Sequence, residues 1–361
     1  MSAIIFPGQG SQYKFMAMDF NENFTVSHDI FSEIEDATKI NIRKIILENQ
    51  QDELNQTKFT QIAIFSASTV IFKTLVDQVG LEVIKPNLVF GHSLGEYSAL
   101  VANNSLNLAD ASKLIKIRGE LMNSAIAPNT SGMAAIIGKN ANDIDEIISK
   151  NNLDIVIAND NSPMQVVVSG LINNINDAES IFISNGVRKY IKLNVSAAFH
   201  SKYMEAAQNM LKDEIDKISF SPSIIPIISN FDAVINSNTD KIIDSLKNQM
   251  ANKVRWTESI KKLEETEISE IIEIGPGKVL SGLISRITKK FDIISKKKNW
   301  LKIKTSFDNY IGYIKNENYV DNFKPTHKIF VLKASIFDEK KRRTKKFLTF
   351  VSKISIIQEV R

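Results

Sequence analysis

Gly91-His92-Ser93-Leu94-Gly95 is the stretch of sequence that decides the fold. The apolar run 87–90 before it predicts a buried strand, and residues 96–103 after it predict a helix. Gly-x-Ser-x-Gly between a strand and a helix is the nucleophile-elbow pattern, whose tight turn leaves room only for glycine two residues either side of the serine. A chance match in an ordinary turn is the alternative, but the flanking strand and helix favour the elbow. We therefore predict an α/β fold with Ser93 as the nucleophile.

The composition is that of a globular protein long enough to bury a substantial core. The chain has 361 residues, of which 43% are hydrophobic and 24% are charged. It contains no cysteine, which excludes disulfides, thiolate nucleophiles and cysteine-based metal sites. The N-terminal sequence does not predict a signal peptide, and we expect no stretch to approach the ~20 apolar residues of a membrane span. We expect a soluble cytoplasmic protein without membrane contact.

Charge is divided unevenly along the chain. Residues 289–361 carry 19 Lys and Arg against 7 Asp and Glu, whereas the first 288 residues carry 26 against 34. The net charge of +4 therefore arises from the end of the chain and does not predict nucleic-acid binding. We expect 289–361 to be a basic C-terminal extension, poorly packed or disordered, with clusters at Lys296–Lys298 and Lys340–Arg343. A patch for an anionic surface or nucleic acid is the alternative interpretation of this extension.

Strands alternate with helices on both sides of the elbow, which predicts a mainly parallel sheet covered on both faces. The glycine-rich turns Gly8-Gln9-Gly10 and Gly275-Pro276-Gly277 each follow a predicted strand. In such sheets ligands bind at the carboxyl ends of the strands, so both turns should lie near the elbow. The predicted strands are 3–6, 87–90, 224–229 and 270–274, and the predicted helices include 61–79, 107–125, 202–217 and 279–287.

The segment 127–194 differs in character from the sequence around it. Strands at 132–138, 154–158, 165–169 and 188–193, with helices at 142–151 and 175–185, give the order β-α-β-β-α-β of a ferredoxin-like unit. A turn is predicted at Asn159–Pro163. The predicted fold is thus a large α/β-hydrolase-like domain with a mainly parallel sheet, residues 1–126 and 195–288, into which a small ferredoxin-like domain is inserted at 127–194.

His200 is the best of four histidines for the base that a serine nucleophile requires. His28 opens a polar-faced helix, and His327 lies in the basic extension. His92 neighbours the serine in the chain, so its side chain should point away from that of Ser93. His200 stands at a loop-to-helix junction and follows the serine in the chain, as in α/β arrangements of this kind. A structural histidine that caps a helix is the alternative.

Arg118 and the loop around Gln9 are further candidates, each with an ordinary alternative. Arg118 follows Ile117 near the apolar face of a predicted helix, where a guanidinium could bind a carboxylate through two parallel hydrogen bonds. A solvated or salt-bridged surface arginine is the alternative. Gln9 and Gln12 could supply amide donors beside a strand end, although an ordinary glycine-rich loop explains them equally well.

Six stretches in the same order resemble malonyl-CoA:acyl carrier protein transacylases, the malonyl transferases of bacterial fatty-acid synthesis. The resemblance covers about residues 3–288 and leaves the extension without a counterpart. The family usually has a proline where this chain has Ala198, which should soften that loop without changing the chemistry. The matching stretches are Phe6-Pro7-Gly8-Gln9-Gly10-Ser11-Gln12, Gly91-His92-Ser93-Leu94-Gly95-Glu96-Tyr97, Arg118-Gly119, Phe199-His200-Ser201, Val254-Arg255-Trp256 and Gly275-Pro276-Gly277-Lys278-Val279-Leu280.

The resemblance implies a role for each matching position. Ser93 would become malonylated, and His200 would activate first Ser93 and later the thiol of the carrier. The backbone N–H groups of Gln9 and Leu94 would form the oxyanion hole. Arg118 would pair with the free carboxylate of the malonyl group.

The resemblance also implies a substrate, a partner and two further residues. Gln249 would orient the histidine through its carbonyl group, and Phe199 would crowd methyl-branched acyl groups. The implied reaction carries malonyl from malonyl-CoA to the phosphopantetheine thiol of acyl carrier protein, with no metal, no cofactor and no nucleic-acid partner. A serine thioesterase or hydrolase and a non-catalytic carrier-binding module are the alternatives. An acidic carrier would need a local basic patch, for which the candidates are Arg188, Lys189, Lys278 and Arg286.

Overall fold

A computed structural model describes residues 1–295 together with the strands at 300–305, 311–315, 329–337 and 343–351. Its main sheet has six strands in the order β10-β9-β1-β2-β7-β8. All neighbouring strands in this sheet are parallel except β7 and β8. The strands are β1 (Ser2–Phe6), β2 (Pro86–Gly91), β7 (Ile227–Ile228), β8 (Ile235–Asn236), β9 (Glu270–Glu273) and β10 (Asp292–Ser295). The predicted mainly parallel α/β fold is therefore confirmed.

Helices pack around this sheet and enclose it in a hydrophobic core. The helices before the insertion are α1 (Met18–Asn23), α2 (Thr25–Thr38), α3 (Ile42–Glu48), α4 (Thr57–Val79), α5 (Leu81–Ile84), α6 (Gly95–Ala102) and α7 (Leu108–Ser124). Those after it are α10 (Glu205–Ile215), α11 (Thr239–Lys247), α12 (Trp256–Glu264) and α13 (Val279–Ile287). Two short 3-10 helices lie at Gln50–Asn55 and Lys202–Met204.

Helix α4 runs through the middle of the main core. Residues 60–72 of this helix are all buried, so apolar contacts surround it on every side. By length and hydropathy alone α4 could cross a membrane, which corrects the expectation that no stretch comes close to a span. However, 78% of its apolar window is buried inside the molecule, as in the core helix of a globular domain.

The inserted segment forms a four-stranded antiparallel sheet in the order β4-β5-β3-β6. Its elements are β3 (Ser131–Ile137), α8 (Ala141–Lys150), β4 (Ile155–Ser162), β5 (Gln165–Leu171), α9 (Ile172–Ser184) and β6 (Lys189–Lys192). This β-α-β-β-α-β order confirms the predicted ferredoxin-like unit. One face of the small sheet packs on α8 and α9, whereas Met133, Ala135 and Val167 on the opposite face join the main core. The two parts therefore share buried surface.

The predicted turn at Asn159–Pro163 is wrong, because β4 continues to Ser162. Its polar end is stabilised by partners outside the small sheet. The N–H of Asp160 donates to the carbonyl of Val254, and the hydroxyl of Thr257 donates to the Asp160 carboxylate at 2.7 Å. Burial of these polar groups is thus matched by hydrogen bonds that no local sequence pattern reveals.

The main sheet extends past residue 288, where the large domain was predicted to end. Strand β10 pairs with β9 as the edge strand of this sheet. Four later strands, β11 (Trp300–Thr305), β12 (Ile311–Lys315), β13 (Ile329–Phe337) and β14 (Arg343–Val351), pair as an antiparallel sheet in the order β12-β11-β13-β14. The basic cluster at Lys296–Lys298 and residues 340–342 of the other cluster lie outside the described residues. The division into domains at 127, 195 and 289 otherwise stays a prediction.

Candidate active site

Ser93 occupies the strained turn between β2 and α6. Its φ of 52° places it in the left-handed region, which a non-glycine residue seldom adopts. A Cβ on Gly91 would lie 2.1 Å from the carbonyl of Gly95, and a Cβ on Gly95 would lie 2.2 Å from the carbonyl oxygen of Phe6. Neither contact is sterically possible, so both glycines are required for the turn. The turn holds the serine hydroxyl at the carboxyl end of β2.

His200 meets Ser93 across 107 positions of sequence, with Nε2 2.9 Å from the serine Oγ. Its Nδ1 lies 3.1 Å from the carbonyl oxygen of Gln249 and 3.0 Å from that of Asn252. Because both of these partners can only accept, Nδ1 carries the ring hydrogen and Nε2 accepts from the serine hydroxyl. Burial, and secondly the charge of Arg118, lower the pKa of His200 to about 3. The imidazole is therefore a neutral base at physiological pH.

Arg118 is almost fully buried, at 1% exposure, with its guanidinium against the serine. Its Nη2 donates to Ser93 Oγ at 3.0 Å and to Gln249 Oε1 at 2.9 Å, and its Nη1 donates to Gln61 Oε1 at 2.6 Å. The guanidinium also lies 5.5 Å from the ring of Tyr97, within range of a cation–π contact. Burial lowers the pKa of Arg118, although an arginine stays charged. The surface-arginine interpretation is therefore wrong.

The Nε of Arg118 is buried without a hydrogen-bond partner among the described residues. Nε and Nη2 share one edge of the guanidinium plane, the edge that can bind a carboxylate side-on through two parallel hydrogen bonds. A buried donor left unpaired costs on the order of 1–3 kcal/mol. A ligand oxygen is one way to satisfy it.

The N–H groups of Gln9 and Leu94 donate to no protein atom within residues 1–295. Leu94 directly follows Ser93 in the elbow. The loop that carries Gln9 lies against the elbow, because a Cβ on Gly8 would be 2.5 Å from the carbonyl oxygen of His92. Both N–H groups therefore remain available as donors near the serine, as an oxyanion hole requires.

Phe199 and Ala198 precede His200 in a loop that is bound to the small sheet. The Phe199 side chain is 5% exposed, and its carbonyl accepts from Ser169 Oγ at 2.7 Å. The N–H of Ala198 donates to Ser131 Oγ at 3.0 Å, a bond that the family's usual proline could not make. The structure thus ties this loop to β3 where the sequence predicted only softening.

Four residues near the site were not selected from the sequence. Gln61 accepts from Arg118, and Asn252 accepts from the histidine. Asn230 Oδ1 accepts from the N–H of Ser93 at 2.5 Å, and Glu96 Oε2 accepts from Gln249 Nε2 at 2.7 Å. The only available signal was a polar residue inside an apolar run, as with Gln61 in α4 and Glu96 in α6.

His92 points away from the serine, as predicted, and contacts the small sheet. Its Nε2 lies 2.9 Å from Asn161 Oδ1 on β4, and its ring packs on Trp256 at 5.4 Å between centroids. Burial lowers the pKa of His92. Its hydrogen bond connects the elbow directly to the inserted domain.

Three of the four predicted basic candidates line one groove of 570 Å³ between the small sheet and α13. Arg188, Lys189 and Arg286 line it, and Lys278 does not. Arg286 donates to Gln165 Oε1 at 2.8 Å across the groove. The apolar part of the lining comes from Ile137, Met164 and Ile191.

An elbow serine, a neutral histidine and two N–H groups that donate to no atom of residues 1–295 form the arrangement of enzymes that react through an acyl-serine. Within residues 1–295, no three His, Asp or Glu side chains are grouped so that they could hold a metal ion. The model of a family described as the acyl transferase domain matches residues 3–328. The chain therefore belongs to the acyl transferase family, as the sequence motifs predicted.

Similar proteins have names that are more specific than that of the acyl transferase family. The malonyl CoA-acyl carrier protein transacylase of Bacillus subtilis (strain 168) is 35% identical over 297 residues, which are 81% of this chain and 92% of that protein. The polyketide biosynthesis protein PksE of the same organism is 38% identical over 289 residues, 80% of this chain but 36% of PksE. A malonyl-transacylase solved in complex with its type II PKS acyl-carrier protein has a TM-score of 0.77 at 32% identity, covering 81% of this chain and 95% of that one.

Proposed function

We propose that this chain transfers the malonyl group from malonyl-CoA to the phosphopantetheine thiol of an acyl carrier protein, in fatty-acid synthesis. The observation that carries the proposal is that His200 Nε2 and Arg118 Nη2 lie 2.9 Å and 3.0 Å from the same serine oxygen. A base and a carboxylate receptor therefore converge on one nucleophile. The transacylase name of the relatives that match along their length supports the same reaction.

In the first half-reaction Ser93 Oγ attacks the thioester carbonyl while its proton passes to His200 Nε2. The oxyanion accepts from the N–H groups of Gln9 and Leu94, each worth on the order of 3 kcal/mol to such an intermediate. The C–S bond then breaks, and His200 returns the proton to the departing coenzyme A sulfur. The malonyl carboxylate would meet the Nε and Nη2 edge of Arg118.

The second half-reaction reverses these roles. His200 takes the proton of the carrier thiol, and the sulfur attacks the acyl-serine carbonyl. The C–O bond then breaks, and His200 gives that proton to Ser93 Oγ, which restores the hydroxyl. The reaction as proposed uses no cofactor and no metal, because coenzyme A enters as part of the substrate. We assign it to the cytoplasm, since the long apolar helix found within the described residues, α4, is mostly buried in the core.

We also propose that the acidic carrier docks at the groove lined by Arg188, Lys189 and Arg286. These cations belong to a part of the chain that is acidic as a whole, so they would form a local attraction for an anionic partner. The apolar side chains between them would contact the carrier or its phosphopantetheine arm.

Intact-mass spectrometry after mixing with malonyl-CoA tests the acyl-serine directly. Wild type should gain the mass of one malonyl group, and Ser93→Ala should gain none. Ser98→Ala changes a buried serine on α6 whose hydroxyl makes no hydrogen bond within the described residues, and this variant should label like wild type. Covalent label that persists in Ser93→Ala would contradict the proposed nucleophile.

A further inference from the structure

Glu96 is a buried carboxylate beside the site that takes no part in the steps above. It lies in the first turn of α6, three residues after Ser93, and is 0% exposed. Its Oε2 accepts from Gln249 Nε2 at 2.7 Å and from the Asn230 N–H at 3.1 Å. Its Oε1 has no partner among the described residues. Burying a carboxylate in this way is costly, so packing alone is a poor explanation of its presence.

The Glu96 carboxylate determines which way the Gln249 amide faces. The amide nitrogen donates to Glu96 and, at 2.9 Å, to the carbonyl of Ser93, while the amide oxygen accepts from Arg118. If the Gln249 amide were rotated by 180°, its oxygen would face two acceptors, Glu96 Oε2 and the Ser93 carbonyl. Its NH₂ would then face the Arg118 guanidinium, which cannot accept a hydrogen bond. Glu96 Oε2 therefore keeps the amide oxygen of Gln249 directed at Arg118, where it accepts a hydrogen bond.

Loss of the Glu96 carboxylate would affect the side chain of Gln249 more than it affects Asn230. Asn230 would keep three other bonds, in which Nδ2 donates to Gly91 and its oxygens accept from the N–H groups of Ser93 and Arg255. The amide nitrogen of Gln249 would keep only its bond to the Ser93 carbonyl. Loss of Glu96 should therefore alter the position of the Arg118 guanidinium and leave the elbow unchanged.

We propose that Glu96 is a positioning residue for the malonyl carboxylate: its Oε2 orients the Gln249 amide, and that amide holds the Arg118 guanidinium beside the serine. This inference rests on the proposed malonyl transfer. Glu96 does not touch the reacting atoms, and it acts only through its neighbour.

The role needs a hydrogen-bond acceptor and does not need a charge. Burial raises the pKa of Glu96 to about 7, although the hydrogen bonds from Gln249 and Asn230 oppose the rise. A proton taken up by Oε1, which has no partner among the described residues, leaves Oε2 as an acceptor. A glutamine at this position could likewise keep its oxygen at Oε2 and place its NH₂ at Oε1.

Acylation kinetics with malonyl-CoA and with acetyl-CoA test the proposal. Glu96→Met removes the acceptor at similar size and should raise KM for malonyl-CoA roughly tenfold, with acetyl-CoA changed by less than about threefold. Glu96→Gln should restore values near wild type. Ser98→Ala on the same helix is the matched control. If Glu96→Met does not fold, Gln249→Met, which keeps the carbonyl that holds His200, should show the same malonyl-specific loss.

Equal losses for malonyl-CoA and acetyl-CoA, or an unchanged KM in a folded Glu96→Met enzyme, would overturn the proposal. So would a Glu96→Gln enzyme as impaired as Glu96→Met. The double variant Glu96→Met/Gln249→Met should lose no more than either single variant, because the two residues act in series, and additive losses would contradict this. A wild-type enzyme that labels but never loads a carrier would contradict the proposed function instead, and would leave these comparisons intact.

Discussion

Arg118 has two nitrogens in hydrogen bonds to Ser93, Gln61 and Gln249, and its buried Nε has no partner in the part of the chain that the structure describes. A neutral acyl group such as acetyl has no carboxylate for this cation to bind, whereas a malonyl group has one, with two oxygens. The guanidinium should therefore decide between these substrates by a charge-assisted hydrogen-bond pair.

Arg118→Ala should lower kcat/KM for malonyl-CoA roughly 10- to 100-fold, since such bonds contribute on the order of 1.5–3 kcal/mol. The rate with acetyl-CoA should change much less, so the malonyl-to-acetyl ratio falls. Arg43→Ala, which breaks an ion pair with Glu35, controls for the loss of an arginine as such. A preserved ratio in Arg118→Ala would rule out the carboxylate role.

The pH dependence of acylation should lack a histidine limb near pH 6.5. Burial lowers the pKa of His200 to about 3, so the imidazole stays neutral, and competent as a base, well below its usual range. The rate of malonyl-serine formation, measured by rapid quench, should stay nearly flat from about pH 8 to about pH 6. A fall in that rate centred near pH 6.5 would show that His200 titrates normally.

Single residues differ in how far the sequence reveals them. Ser93 and His200 stand in motifs, and a serine needs a base, so chemistry selects both before any coordinates exist. Glu96 and Gln61 are recognisable only once the fold brings Gln249 and Arg118 to them. These contacts join residues 57 or more positions apart, so the sequence shows a polar residue in an apolar run but does not show which partner it meets.

The elbow is the element whose geometry the reaction needs most. Gly95→Ala would force a Cβ to within 2.2 Å of the Phe6 carbonyl oxygen, so β1 and α6 would have to move apart. We expect acylation to fall at least tenfold and the free energy of unfolding to drop by about 2 kcal/mol or more, measured by urea denaturation.

Gly282→Ala is the matched control, because a Cβ there meets nothing within 4 Å. In the middle of α13 it should leave acylation unchanged and raise stability by about 0.5–1 kcal/mol. Equal behaviour of the two glycine variants would contradict the steric account of the elbow.

Element types were predictable where hydrophobic periodicity is strong, as in α8 and α13, and where the apolar run is long, as in α4. The end of β4 was not, because Asn159–Ser162 has the composition of a turn. Its polar groups are satisfied by Val254 and Thr257, nearly a hundred positions later, so tertiary hydrogen bonds override the local preference.

At the scale of the whole molecule, hydrogen bonds join the small antiparallel sheet to the elbow and to α13. His92 bonds to Asn161 on the small sheet, and Arg286 on α13 bonds to Gln165 on β5. The topology that brings these elements together follows from the elbow and the β-α-β-β-α-β order. The added edge strand β10 was not predicted, because the basic composition from residue 289 onward concealed it.

Charge reversal in the groove should weaken docking of the carrier. The double variant Arg188→Glu/Lys189→Glu should raise KM for the carrier roughly tenfold at low salt, and less at high salt where surface charges are screened. Lys44→Glu, an exposed lysine on α3, is the control. A carrier KM that is indifferent to both the reversal and the salt would place docking elsewhere.

The most direct test of the account follows the malonyl group from the isolated acyl-enzyme. Malonylated wild type, freed of malonyl-CoA, is mixed with carrier protein that bears its phosphopantetheine thiol, and both proteins are weighed by intact-mass spectrometry over time. We predict that the carrier gains one malonyl group as the enzyme returns to its unmodified mass, and that without carrier the label stays on Ser93. Release of malonate at the same rate with and without carrier would contradict the account and identify a hydrolase.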